Sequence, residues 1–312
     1  MKQNVITIIG SYNVGLFLKG NKFPIVGETI IANQFIESGG GKGSNQAVAA
    51  AKFGAKTRFI GRLGADKYGL DALRMYNDLN ILIDLVKIDS TIHSGISVIL
   101  IDEKGNNLIS VAPGANYRLS EHDIDSSLKQ LKDSMIVGFQ LENDLKVVSY
   151  GLKKIHELGI STYLDPSPAQ KLPDEIYQYI DIIKPNETEA CTLTGIEVND
   201  IESAEKAGRW FLKRGVKKVI VTLGQKGAVL TTPDSCVHFP APKVKAIDTT
   251  GAGDIFSGAF FYSLQKGKSI NTSIEFAVMA ASLATTKMGV IESIPSIEEV
   301  NKFVNSNKTV EL

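Results

Sequence analysis

Short apolar runs alternate with amphipathic stretches of helical length along most of this 312-residue chain, and few architectures accept that rhythm. The apolar runs fall at residues 5–9, 57–60, 135–137, 161–164, 180–183 and 218–222. Helical spacing occupies 44–53, 68–80, 121–131, 145–158, 186–194 and 201–214. Runs without polar alternation leave no wet face. They read as strands of a largely parallel sheet with helices on both sides, an α/β class. Residues 251–265 and 273–287 read as two further helices rich in Ala, Ser, Phe and Gly. A last helix at 296–304 opens on a capping box, Ser296 with Glu299. No internal repeat divides the chain, which reads as one domain over 1–312.

Two stretches break the rhythm. Residues 19–37 and 91–111 alternate apolar and polar positions without helical spacing. Within the second, 95–100 reads as a strand, Glu103-Lys104-Gly105-Asn106 as a turn and 108–111 as its return. Together, about 16–38 and 91–111, they read as a small β-element inserted into the α/β body. A flap over a crevice fits, because sheet ligands bind at the carboxyl ends of strands. An ordinary surface hairpin fits the pattern as well.

Composition narrows the function. With 43% hydrophobic residues a chain of this length builds a large core without staples. Thirty-four basic residues balance 34 acidic ones, which removes the footprint of a nucleic-acid or anionic-membrane binder. Cys191 and Cys236 are too few for a disulfide framework, so a reducing cytoplasm is the simplest compartment. The uncharged run 276–286 is far short of a membrane span. Residues 1–18 start like a signal peptide, but Asn13 and two glycines interrupt them and a first strand is the better reading.

The segment Asp248-Thr249-Thr250-Gly251-Ala252-Gly253-Asp254 runs from an apolar stretch into a helix. Gly-Ala-Gly lets the backbone approach a ligand, and bare N–H groups at a helix start form an anion hole. A carboxylate facing phosphate is repelled unless it takes a proton from an attacking hydroxyl, so Asp254 beside that hole points to phosphoryl transfer. Alternatively, Asp254 merely favours the helix's positive end. A second segment, Gly39-Gly40-Gly41-Lys42-Gly43-Ser44-Asn45-Gln46, has four glycines in five residues before an Ala-rich helix. Asn45 can donate and accept, which suits hydroxyl-bearing ligands. This is not a Walker A loop, because Gly43 follows Lys42, and Gly267-Lys268-Ser269 fails because Tyr262 replaces the first glycine.

Two more segments follow strands. In Lys184-Pro185-Asn186-Glu187-Thr188-Glu189, Asn186 and Glu189 share a helical face and could order a hydrated Mg²⁺, or simply cap the helix. Thr222-Leu223-Gly224-Gln225-Lys226-Gly227 fits a nucleotide contact, or a plain hairpin into residues 228–231. His93, His122, His156 and His238 have no metal-binding spacing, and Trp210 with Phe211 reads as core.

In this order the segments resemble the ribokinase-like (PfkB-type) carbohydrate kinases over nearly the whole chain. Gly10-Ser11-Tyr12-Asn13, Gln140-Leu141-Glu142 and Ala112-Pro113-Gly114-Ala115-Asn116 add to the likeness. The resemblance implies a three-layer α/β/α sandwich with a β-sheet lid. It also implies ATP-dependent phosphorylation of a sugar's primary hydroxyl, ribose first, with another pentose, a ketose or a nucleoside behind. By resemblance Asp254 is the base and Gly251, Ala252 and Gly253 its anion hole, while Asn13, Gly41, Lys42, Asn45 and Glu142 contact sugar, as does Asp254. Asn186 and Glu189 organise Mg²⁺ and phosphate; Thr222, Gly224, Gly227 and Gly253 meet nucleotide. An activating K⁺ site falls on Asp248, Thr250, Ala284, Lys287, Gly289 and Ser293, several through carbonyls, and the lid implies a homodimer.

Two positions depart from the pattern. Gly15 stands where an Asp usually holds sugar hydroxyls, and losing a charge-assisted bond of ~1.5–3 kcal/mol weakens binding by ~10- to 100-fold. An Asn-Pro-Ala-Pro stretch reads Asp165-Pro166-Ser167-Pro168. A non-catalytic sugar or nucleotide sensor is the competing class.

Overall fold

The computed structural model describes residues 4–308. Its main sheet has eight strands, in the order 236–239, 228–231, 218–222, 182–183, 161–164, 134–139, 5–9 and 57–60. Six are parallel; Ala228–Thr231 and Cys236–Phe239 run antiparallel at one edge. Successive residues of a strand point to opposite faces, and the core divides accordingly. Ile6, Ile8, Ile136 and Ile220 pack with the helices Lys42–Lys52, Ala252–Gln265 and Ile270–Ala284. Ile9, Val137, Val219 and Val221 pack with Glu121–Leu131, Leu145–Glu157, Glu187–Thr194 and Ile201–Leu212. The result is the expected α/β sandwich of three layers.

Small residues set the helix spacing on the first face. A Cβ added to Gly258 would stand 2.4 Å from Ala49 Cβ and 2.7 Å from the Ala50 nitrogen, so these two helices touch backbone to backbone. That contact fixes Asn45 and Gln46 on one helix against Asp254 on the other.

The chain leaves the carboxyl end of Val5–Ile9 and, after three residues, enters a separate four-stranded sheet. Its order is Gln34–Gly40, Asn13–Lys19, Gly95–Ile101 and Asn107–Ala112. The expected strand–turn–strand at 95–111 is present, and residues 34–40 and 13–19 add two strands to it.

Several boundaries differ from the sequence reading. The run at 180–183 keeps only Ile182–Ile183 in the sheet, because Asp174–Tyr179 coils as a 3-10 helix up to it. The helix expected at 273–287 spans Ile270–Ala284, started by Ser269, whose hydroxyl accepts from the Thr272 N–H. Strand Cys236–Phe239 and the two-stranded pair Arg62–Gly64 with Lys87–Asp89 were not anticipated.

Candidate active site

The predicted groups converge at the carboxyl ends of the parallel strands. Asp254 lies in the first turn of Ala252–Gln265 and is 5% exposed. Gly251 precedes that helix with φ 74°, a left-handed conformation in which a Cβ would meet Val290 Cγ1 at 2.4 Å. The Ala252 N–H donates to the Thr249 carbonyl at 3.2 Å, while those of Gly253 and Asp254 find no acceptor among the described residues. Two bare amides therefore adjoin the carboxylate.

Both oxygens of Asp254 are oriented from one helix. Asn45 Nδ2 donates to Oδ2 at 2.9 Å and Gln46 Nε2 to Oδ1 at 3.1 Å. Gln46 Nε2 also donates to Asp165 Oδ2 at 2.9 Å, and its own Oε1 accepts from Gln140 Nε2 at 2.8 Å. Asp165 pairs in turn with Lys184 at 2.8 Å. Burial drives the Asp254 pKa up to about 6. Asp165 adds to the rise, while Lys42 and the amides of Asn45 and Gln46 oppose it. The carboxyl is thus poised to accept a proton near neutral pH.

The expected sugar contacts gather around it. Gly41, φ 87°, lets the loop lie against the strand start, where a Cβ would stand 2.6 Å from the Asn13 nitrogen. Glu142 accepts from the Lys42 N–H at 2.8 Å and from the Ser11 hydroxyl, so it also caps the helix start. Burial weakens the Lys42 ammonium, but Asp254, Asp165, Glu142 and Glu189 outweigh it and hold its pKa above the ordinary lysine value. Asn13 Oδ1 accepts from Asn116 Nδ2 at 2.9 Å. The buried Asn45 Oδ1 has no partner among the described residues.

On the other side, Asn186 and Glu189 form a reciprocal capping box, which occupies one oxygen of each. The Thr222 N–H donates to the Pro185 carbonyl at 3.0 Å, and a Cβ on Gly224 would lie 3.6 Å from Glu187 Oε1. Gly227, φ 95°, closes the same turn, and a Cβ there would strike the Phe239 carbonyl. Farther on, the Asp248 carboxylate accepts from the Thr250 and Gly289 N–H groups at 2.9 and 3.0 Å. The Ala284 carbonyl accepts from the Lys287 N–H, and Ser293 Oγ donates to the Val290 carbonyl. The Lys287 ammonium turns away to Glu299, leaving only its carbonyl for a cation. Among the described residues no cluster of three or more His, Cys, Asp or Glu could hold a metal. Mg²⁺ needs no such cluster, since it keeps waters and binds through one or two protein oxygens plus phosphate.

Asn13 is the first residue of its strand in the second sheet. Its register puts Asn13, Gly15 and Phe17 on one face, beside Gly40 and Gly95, Ser38 and Ser97, and Ile36 and Ile99. The Phe17 ring folds back over Gly15, 2.7 Å from where a Cβ would stand.

Gln46, Gln140, Asp165, Lys184, Ser11 and Asn116 carry this network, and no role was assigned to them from the sequence. Each lay in or beside a segment the sequence had singled out: Ser11, Gln140 and Asn116 in the segments that carry the resemblance, Asp165 at a departure from it, Gln46 after Asn45 and Lys184 before Pro185-Asn186.

The chain matches the pfkB family of carbohydrate kinases over residues 3–297. It belongs to that family. The kinase is 37% identical over 302 residues to a ribokinase of Haemophilus influenzae, covering 97% of this chain and 99% of that one. It is also 37% identical over 305 residues to a bifunctional ribokinase/ribose-5-phosphate isomerase A of Fructilactobacillus sanfranciscensis. That match takes in 97% of this chain but only 56% of the relative's length. Among solved structures, Arabidopsis thaliana ribokinase complexed with ribose and ATP superposes with a TM-score of 0.91 at 32% identity, covering 97% of this chain and 99% of the other. The kinase is thus a phosphotransferase acting on a carbohydrate hydroxyl. No helix among the described residues is long and apolar enough to cross a membrane.

Proposed function

We propose that this kinase transfers the γ-phosphate of Mg·ATP to the primary hydroxyl of ribose, giving ribose 5-phosphate, in the cytoplasm. The observation that carries the reading is Asp254: a buried carboxylate, oriented through both oxygens, beside two bare amides at a helix start. The ribose hydroxyl oxygen bonds to the γ-phosphorus as the bond from phosphorus to the β–γ bridging oxygen breaks. The hydroxyl proton passes to Asp254, and the leaving electron pair goes to ADP. The Gly253 and Asp254 amides take up charge on the phosphoryl oxygens. Asn13, Gly41, Lys42, Asn45 and Glu142 hold the sugar, with Asn45 Oδ1 accepting a hydroxyl. Asn186, Glu189, Thr222 and Gly224 face the nucleotide.

Charge bookkeeping supports Mg²⁺. Asp165, Glu189, Asp254 and Glu142 surround the Lys42 and Lys184 ammonium groups, which leaves a surplus of negative charge before any phosphate enters. A divalent cation neutralises the triphosphate there. Asp248 with the carbonyls of the 284–293 segment offers only hard oxygens, a set suited to K⁺. Turnover should fall when K⁺ is replaced by a large organic cation, and equal rates in both salts would remove that site. The second sheet acts as the lid and excludes competing water. Its exposed Phe35, Ile36, Leu108, Ile109 and Val111 support a second copy of this chain as partner.

The test is ADP release across ribose, 2-deoxyribose, other pentoses, ketoses and nucleosides. Phosphorus NMR then locates the new ester. The largest kcat/KM with ribose and a 5-phosphate product support the reading. Sugar binding without ADP release for every acceptor overturns it in favour of the sensor.

A further inference from the structure

Lys184 has no role in the reaction so far, yet its surroundings are those of a working group. It follows strand Ile182–Ile183 directly, and it is 3% exposed. Its ammonium pairs with Asp165 Oδ2 at 2.8 Å and donates to the Gly253 carbonyl at 3.3 Å. A Cβ on Gly253 would lie 3.2 Å from it, so the charge sits against the turn that carries the bare amides. An ammonium has three donors, and two are engaged, which leaves one without an acceptor among the described residues. Asp165 Oδ1 is likewise buried without a partner among them. A buried ion pair is a weak device for stability alone, because an apolar pair of similar volume usually serves as well. Retaining two incompletely bonded charges beside the amides calls for something that arrives later.

We propose that Lys184 is a catalytic residue that clamps the phosphoryl group in transfer. This rests on the reading above that the γ-phosphate lies at the start of Ala252–Gln265. The free donor of Lys184 binds a γ-phosphate oxygen, while the Gly253 and Asp254 amides bind from the helix start. Asp165 and the Gly253 carbonyl hold the ammonium in position before ATP enters. Negative charge accumulating between phosphorus and the leaving oxygen then meets a preorganised cation.

The experiment compares wild type with Lys184→Met, Lys184→Arg and the double variant Lys184→Met/Asp165→Asn, which removes both charges together. Calorimetry measures affinity for ADP and for β,γ-methylene ATP; steady-state kinetics measure kcat and the sugar KM. The clamp predicts that Lys184→Met lowers kcat by about 10²- to 10³-fold, with sugar KM within about threefold. It also predicts loss of any preference for the triphosphate analogue over ADP, and partial recovery of kcat in Lys184→Arg. If Lys184→Met does not fold, the double variant carries the test, and the same losses are expected of it. An unchanged affinity ratio, or a double variant with near-wild-type kcat, overturns the proposal by reducing Lys184 to a counter-charge for Asp165. The ratio of nucleotide affinities does not depend on which sugar is the acceptor, so a wrong sugar and a wrong role for Lys184 give different results.

Discussion

Replacing Asp165 with Asn should move the acid limb of the kinase's pH–rate profile downward. Gln46 Nε2 lies 2.9 Å from Asp165 Oδ2 and 3.1 Å from Asp254 Oδ1, so the two carboxylate oxygens are within about 6 Å of each other. Unit charges at that separation repel by roughly 2–3 kcal/mol at an effective dielectric constant of about 20, which is about two pKa units. The shared amide and the Lys184 ammonium offset part of this, and a shift of about one unit remains. The sign follows from the chemistry. Asp254 accepts a proton only when ionised, and burial with Asp165 raises its pKa to about 6. Wild-type kcat/KM should therefore fall as pH drops through about 6, to about a tenth of its plateau at pH 5. Without the Asp165 charge, about half the plateau should survive at that pH. Initial rates between pH 4.5 and 8, on protein shown to be folded throughout, give the position of the limb independently of plateau height. A limb that stays near 6, or moves up, refutes the electrostatic coupling.

Three other substitutions probe the frame around the site. Gly251→Ala combines a left-handed backbone with a contact to Val290 at 2.4 Å, and should cost about 2–4 kcal/mol. At about 2–4 °C per kcal/mol, a thermal scan should show a Tm lower by about 5–10 °C and kcat should collapse; an unchanged Tm contradicts the strain. Gly258→Val pushes against Ala49 and the Ala50 backbone, neither of which can yield, so both stability and turnover should drop while a conservative surface variant does neither. Glu142→Gln weakens the bonds to Ser11 and the Lys42 N–H, and should raise the sugar KM about tenfold. A KM within twofold of wild type would leave Glu142 as a helix cap only.

What the sequence revealed tracks how local the cause was. The strand at 218–222 was legible because Val219, Ile220 and Val221 are β-branched and buried on both faces. Strand Cys236–Phe239 was not, because it is a short edge with one paired neighbour and mostly half-buried side chains. The Asp254 segment could be read because Gly251, Gly253 and the acid are contiguous. The wiring behind it could not: Gln46 meets Asp165 and Asp254 across 119 and 208 residues, and Lys184 meets Gly253 across 69. Gly227 shows the opposite limit. A glycine with positive φ suits a ligand contact and a hairpin alike, and its packing against Phe239 comes from a strand that the sequence did not reveal.

Asp254→Asn tests the central claim most directly. The amide keeps the size of the carboxylate and an acceptor for one of its two amide donors, Asn45 or Gln46, but takes no proton. Calorimetry should show Mg·ATP binding within a few-fold of wild type. ADP release with ribose should fall by about 10²- to 10⁴-fold. A folded variant that binds ATP and turns over within threefold of wild type would contradict a proton transfer to residue 254.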